Sequence, residues 1–261
     1  MEMESLVMNG EKRKYYRFRY SLYYGGIVTA DTVGCEFLCA YCWNYFRNLR
    51  PKRAGDFLSP EEVAERLLEI SKKRKCDLFR ISGAEPILGR RSAEHVRRVV
   101  ELVNGTFILE TNGLMFGFDP SLVDLFVNLN VLIRVSVKGW DEESFEKITG
   151  ASGEYFRYQL KALEHLHEKV HFWVAIVYDL FREKGLKELK KKTPHSVQDR
   201  ERVSGNVSVE ILCSSFFHRI SYNDFRWKYV LFFSYLLSRN KCKQNFPGLF
   251  SHFIKILTNS S

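Results

Sequence analysis

The sequence of 261 residues predicts an α/β fold built on a parallel sheet, and three observations predict it. Short apolar runs of strand character alternate with stretches of helical period from residue 59 onward. The stretches between those runs are long enough for helical crossovers, which parallel strands require and hairpins do not. Four unusual turns each leave the C-terminal end of a successive strand, where such folds gather their ligands. An open or closed α/β barrel, or a doubly wound sheet, satisfies all three. A chain of this length can bury roughly three-quarters of its unfolded surface, enough for one large domain.

Residues 1–24 read as an N-terminal extension, 25–200 as the core and 201–261 as a divergent C-terminal segment. Within the extension, "KYYRFRY" interleaves aromatics with bases, as a nucleic-acid contact would, but the same period of two makes a half-buried strand. "GGIVTADTVG" (25–34) is the first core strand. Ser59-Pro60-Glu61-Glu62 is a capping box with proline at the first helical position, and Val63, Leu67 and Ile70 carry that helix to about Lys73. "DLFRISG" (77–83) is the second strand. Val96, Val99, Val100 and Val103 stripe the next helix, with Gly105 expected just past its end. "TFILE" (106–110), the helix "PSLVDLFVNL" and the strand "VLIRVSV" (131–137) follow. Helices at 141–149 and 155–168 lead to the strand "VHFWVAIV" (170–177), and a lysine-rich helix stops at Pro194. "NVSVEIL" (206–212) supplies a sixth strand.

Composition narrows the class. Hydrophobic content of 45% and charged content of 27% are those of a globular protein. The first residues carry acids and no apolar core, so no secretory signal is expected, and "YVLFFSYLL" is too short to span a bilayer. A cytoplasmic location follows, where reduced thiols favour metal or redox chemistry over disulfides. The net charge of +9 suits a polyanionic partner, yet its scattered runs read equally as solvated helix faces. Residues 201–261 hold three acidic residues, ten serines and twelve aromatics without clean periodicity, so they form a cap, a partner surface or an incomplete barrel closure. His218 and His252 within this segment and His195 just before it have no spacing partners and read as structural.

Chemistry concentrates in "GCEFLCAYCWN" (34–44), where Cys35, Cys39 and Cys42 follow a C-x3-C-x2-C spacing. Three thiolates suit a [4Fe–4S] cluster with one iron left open, whereas a closed structural site wants four ligands. A zinc site completed by a distant His or Cys, and a trio of structural thiols, remain open on the residues alone. Cys76 begins the second strand, some 20 Å or more from the rim at about 3.3 Å per residue, and reads as a buried thiol. Cys213 and Cys242 have no assignable position. The other turns are "GAEP" (83–86), "ETNG" (110–113) and "SVKG" (136–139). On the fourth strand Arg134, Ser136 and Lys138 share one face, so a buried acceptor is expected there.

These residues together resemble the radical S-adenosylmethionine (radical SAM) superfamily, in its glycyl-radical activating and archaeal-type branches. C-x3-C-x-aromatic-C is its signature, "GAEP" is similar to its Gly-Gly-Glu-Pro motif, and "ETNG" and "SVKG" fall where its third and fourth strands meet SAM. The resemblance spans residues 25–180 and implies a partial (β/α)6 barrel. It implies that Cys35, Cys39 and Cys42 ligate the cluster and that SAM chelates the open iron. It also implies SAM contacts from Tyr41, Gly83, Ala84, Glu85, Pro86, Glu110, Asn112, Ser136 and Lys138. Tyr41 would lie against the adenine, the 83–86 turn would present backbone groups to the methionyl amine, and Lys138 would meet the carboxylate. Ala84 and Ser136 depart from the pattern by replacing a glycine and an aspartate. If position 84 needs a positive φ, alanine there costs about 1–2 kcal/mol.

The implied activity is reductive cleavage of SAM to a 5′-deoxyadenosyl radical that abstracts hydrogen, an oxidoreductase chemistry fed by flavodoxin or ferredoxin. "VSVKGWDEESFEKITGA" (135–151) resembles glycyl-radical activating enzymes, whose substrate is a protein. "YCWNYFRNLRP" with its basic flanks resembles a tRNA-modifying enzyme of the wybutosine pathway. A third reading is a non-catalytic Fe–S or zinc module.

Overall fold

The computed structural model describes residues 2–167 and 169–193, together with the backbone of 209–212. Helix α1 (Glu2–Val7) leads into antiparallel strands β1 (Met8–Asn9) and β2 (Lys12–Ser21), and β3 (Ile27–Thr32) begins the parallel part. The loop after β3 carries the one-turn helix α2 (Tyr45–Asn48) and β4 (Asp56–Leu58), which folds back onto β2. There follow α3 (Pro60–Arg74), β5 (Leu78–Ser82), α4 (Arg90–Leu102), β6 (Thr106–Thr111), α5 (Leu114–Phe118) and α6 (Ser121–Asp124). The chain continues through β7 (Val131–Ser136), α7 (Glu142–Thr149), α8 (Phe156–Leu166), β8 (His171–Val177), α9 (Tyr178–Lys192) and β9 (Val209–Leu212).

In the sheet the order is β1-β2-β3-β5-β6-β7-β8-β9, and the six strands from β3 to β9, β4 aside, run parallel in chain order. Each right-handed crossover steps one strand in the same direction, which puts the helices on one face and curls the sheet away from them. The result is the partial (β/α)6 half-barrel that the resemblance implies, one of the architectures the alternation allows, and β9 is its sixth parallel strand.

Side-chain alternation divides the two faces. Ile81, Leu109, Ile133 and Phe172 stand in register on the helix side, all buried, and pack with Val63, Leu67, Val96 and Phe145 from the helices. The concave side carries polar residues instead: Thr29 opposite Arg80, Asp31 opposite Ser82, and Glu110 opposite Arg134. A row of this kind survives burial only if its members satisfy one another.

Local signals explain the boundaries. Ser59 Oγ accepts from the Glu62 amide at 3.3 Å while Glu62 Oε2 accepts from the Ser59 amide at 2.7 Å, so the capping box forms as its residues predict. Gly105 does not cap α4, which ends at Leu102 with Val103 extended. Glycine is required at 105 for close approach, because a Cβ there would lie 2.2 Å from the carbonyl oxygen of Asp77. The alternating "KYYRFRY" forms β2 within the sheet. Arg17 and Arg19 both turn to the buried Asp31, at 2.7 and 2.8 Å, so those bases serve the fold. Pro194, Cys213, Cys242, His195, His218, His252 and, apart from 209–212, the segment 201–261 lie outside the described residues. No described helix is long and apolar enough to cross a membrane.

Candidate active site

The loop that follows β3 is held from three sides. The amides of Leu38 and Ala40 donate to the carbonyls of Thr149 and Ile148 at the end of α7, at 3.0 and 2.8 Å. Asn44 Nδ2 donates to the Gly83 carbonyl at 2.6 Å, joining this loop to the turn after β5. Beneath them, fully buried Arg13 donates from Nη2 to the carbonyls of Val33 and Glu85 at 3.2 and 2.7 Å. Neither Asn44 nor Arg13 stands out in the sequence, since nothing local marks a residue whose partners lie so far along the chain.

At this rim a cavity of about 310 Å³ opens, within the size range of small-molecule sites. Cys35, Cys39 and Cys42 line it, as does Tyr41. On the wall opposite stand Gly83, Ala84 and Glu85, with Glu110, Asn112, Ser136 and Lys138 from the next two strand ends. Of the residues expected from the motifs, only Pro86 is absent from the lining, and it is buried.

The three thiols fit the chemistry of a cluster. The Phe37 amide donates to Cys35 Sγ at 3.4 Å and Asn48 Nδ2 donates to Cys42 Sγ at 3.7 Å, the hydrogen bonds that a ligating thiolate accepts. Burial pushes the Cys35 and Cys39 thiols up; Glu36 and Glu85 add to this at Cys35, while Lys138 opposes it at Cys39. Thiolates in such surroundings call for a cationic centre. Among the described residues no three His, Cys, Asp or Glu side chains converge on one metal ion. Cys76 is no fourth ligand. Its thiol donates to the Gly26 carbonyl at 3.2 Å, beside the N-terminal end of β5.

The turn after β5 divides into two parts. Gly83, at φ +90°, is the member that demands glycine, since a Cβ would sit 2.9 Å from Asp31 Cβ. Ala84 has no positive φ, so the conditional strain attached to its methyl does not arise. Ala84→Gly is therefore expected to lower stability by about 0.5–1 kcal/mol through added chain entropy. A gain in a urea melt would contradict this. Glu85 is structural: its amide donates to the Gly34 carbonyl at 3.1 Å and its own carbonyl accepts from Arg13. Its carboxylate accepts from the amides of Ile87 and Asn112 and from Thr111 Oγ1. Both backbone groups of Glu85 thus have partners inside the protein, and the residue also lines the cavity. Pro86 is buried and lies outside the lining. Gly83, Ala84 and Glu85 of this turn line the cavity.

The floor is a charge layer. Glu110 Oε1 accepts from Arg80 Nη1 at 2.9 Å and Tyr24 Oη at 3.0 Å, Oε2 accepts from Ser82 Oγ at 2.9 Å, and Arg134 lies 4.0 Å away. Burial pushes this carboxyl up, but Arg80 and Arg134 outweigh burial and hold it down at about 2. The acceptor expected for the polar face of β7 is thus, in part, Glu110 itself. Arg134 also donates to Ser136 Oγ at 3.3 Å. Lys138 reaches over the Tyr41 ring at 5.3 Å, and the Tyr41 and Cys39 side chains keep its ammonium charged against the effect of burial.

Gln159 on α8 escaped notice in the sequence, where one amide on an amphipathic helix carries no signal. Fully buried, it donates to the carbonyls of Asn112 and Ser136 at 2.5 and 3.2 Å and accepts from the Lys138 amide at 2.9 Å. Gln159→Leu would strand three backbone groups and is expected to cost about 2–4 kcal/mol. Loss of less than 1 kcal/mol in denaturant melts would show that water substitutes there.

The chain is similar to known proteins. The family model described as the radical SAM superfamily matches residues 30–191. A GTP 3′,8-cyclase of Thermoplasma volcanium is 29% identical over 119 residues, 45% of this chain and 34% of that protein. A glycyl-radical enzyme activating enzyme of Methanocaldococcus jannaschii is 29% identical over 128 residues, 49% of this chain and 45% of that protein. The chain therefore spans less than half the length of either relative. SuiB of Streptococcus suis, solved with bound SAM, covers 72% of this chain and 46% of its own at 14% identity, with a TM-score of 0.49. Because the family match takes in more than half of the chain and includes the cysteine loop, the protein belongs to the radical SAM superfamily, whose members use a [4Fe–4S] cluster and SAM.

Proposed function

We propose that this chain is a radical SAM oxidoreductase whose Cys35, Cys39 and Cys42 hold a [4Fe–4S] cluster beside a SAM site in the same cavity. One observation carries the reading: three thiols of one loop, with no fourth described cysteine in the lining, open onto the cavity that Gly83, Ala84, Asn112 and Lys138 also line. When bound, the cluster and SAM supply homolysis of the sulfonium C–S bond, giving methionine and a 5′-deoxyadenosyl radical for hydrogen abstraction.

The chain's own residues orient and shield. Lys138 offers a charged donor for the methionyl carboxylate, and Tyr41, with its ring against that lysine, offers a face for the adenine. The carbonyl of Gly83 accepts from Asn44 and has a second lone pair for the methionyl amine. Asn112 and Ser136 add polar contacts at the strand ends. Ala175 and Val177 of β8 form an apolar side wall that keeps water from the reacting carbon. A flavodoxin or ferredoxin would be the electron source, in a reducing, cytoplasmic setting that keeps the thiols free.

The similarity to the activating enzyme supports a protein backbone as the hydrogen donor. The similarity to the cyclase supports a purine nucleotide as a second reading. Anaerobic reconstitution with iron and sulfide, then SAM and dithionite, tests the shared core. An electron paramagnetic resonance signal that changes on adding SAM, with 5′-deoxyadenosine formed, is the expected result. Absence of both would sink the proposal. Deuterium transfer from a labelled glycine peptide or from GTP into 5′-deoxyadenosine separates the two substrates.

A further inference from the structure

Directly beyond the cysteine loop, the surface carries an apolar ridge ringed by cations. Phe46 is 83% exposed, and Trp43 and Leu49 are each 46% exposed, at spacings of three along one turn of chain. Beside them lies a hollow of about 450 Å³ floored by Leu6, Leu49 and Pro51 and rimmed by Arg50, Lys52 and Arg53. Residues 43–54 contain those three cations and Arg47, and no acidic residue. The surface is fixed in place: Lys14 Nζ beneath it donates to the carbonyls of Pro51 and Lys52 at 3.1 and 2.8 Å. A preorganised apolar ridge of this kind is the usual signature of an interaction site.

We infer that this ridge docks an acidic, one-electron donor protein, an inference that rests on the function proposed above. Charge complementarity selects the partner. The segment 213–261 carries seven Lys and Arg against one acidic residue, Asp224, and a second copy of a chain with net charge +9 is no better matched. RNA is a polyanion too, but it binds single-stranded through open aromatic faces. Here Arg17 sits over Trp43 at 5.5 Å and Arg47 over Tyr16 at 4.5 Å, which leaves Phe46 as a single open ring rather than a platform for successive bases, and the floor of the hollow is aliphatic. Position supplies the purpose. Helix α2 touches Cys42 on one side, through Asn48 Nδ2 at 3.7 Å from its sulfur, and presents Phe46 to solvent on the other. One turn of helix is all that separates the proposed ligand from the surface. An electron entering here leaves the donor oxidised by one equivalent and the cluster reduced by one, with no atom transferred.

The test measures binding of a purified acidic flavodoxin and, in parallel, of a tRNA to the full chain, each over a range of salt. Arg50→Glu with Arg53→Glu is expected to weaken flavodoxin binding on the order of tenfold, Arg50→Lys with Arg53→Lys to restore it, and wild-type affinity to fall as salt rises. Phe46→Ser should weaken it without changing net charge. On reconstituted protein the flavodoxin hydroquinone should be oxidised more slowly by the charge-reversed variant, while dithionite-driven formation of 5′-deoxyadenosine stays at the wild-type level. Unchanged flavodoxin affinity in the charge-reversed variant overturns the inference. So does a variant that loses tRNA binding or self-association alone. If the wild type forms no 5′-deoxyadenosine with dithionite, the proposed function fails, and the binding arm still reports on the surface separately.

Discussion

Cys39→Ala is expected to reduce reductive cleavage of SAM to background and to strip the reconstituted protein of most of its iron, while leaving the fold in place. Cys39 is buried, yet the backbone on either side of it is anchored independently by the Leu38 and Ala40 amides on α7. Removing the sulfur therefore deletes a ligand without releasing the loop, and the stability loss should stay near 1 kcal/mol, the cost of a small cavity. Cys76→Ala is the matched control. That thiol is equally buried but bonds to the Gly26 carbonyl at the opposite end of the sheet, so iron content and cleavage should be unaffected. Equal iron in the Cys39 variant and the wild type, by colorimetric assay, would remove Cys39 from the ligand set.

Glu110→Leu should be the most destabilising single change on the concave face. It leaves Arg80 and Arg134, with side chains 6% and 8% exposed, as like charges without their shared carboxylate. Breaking a buried pair in this way costs about 3–5 kcal/mol. The same carboxylate sets an acid limit. Its folded-state pKa of about 2 lies below the ordinary value of 4.5, so its stabilisation, roughly 3 kcal/mol, is complete above pH 4.5 and disappears as pH falls through 2. The gap between wild type and Glu110→Leu should accordingly narrow over that window in urea melts. A gap independent of pH would mean that the variant fails through packing and not through charge.

The half-barrel was readable because its signals are local and repeated. Val63 and Leu67 on α3, the Ser59 cap and the alternation of Ile133 with Arg134 each declare their element within a few residues. The cavity lining was readable because ligand-facing turns fall at strand ends by rule. What escaped is long-range. Gln159 reaches Asn112 and Ser136, Arg13 reaches Glu85, and Asn44 reaches Gly83, each bond joining segments that only the folded sheet brings together. Gly105 shows the same limit, since its need for a bare Cα comes from Asp77 across the fold and not from the helix before it. Glu85 is of the same kind, since its bonds to Gly34 and Arg13 join segments that a four-residue motif does not record.

The anchoring of the thiol loop on α7 also sets a timetable. Residues 35–42 leave the ribosome long before Thr149 and Ile148, whose carbonyls fix the loop's path, have been synthesised. Until then the loop lacks that anchor and is held through Asn44 and Arg13 to segments made earlier. An ordered thiol loop thus belongs to a chain extended through Thr149, and a truncation ending before residue 148 is expected to lose two of the bonds that fix its path.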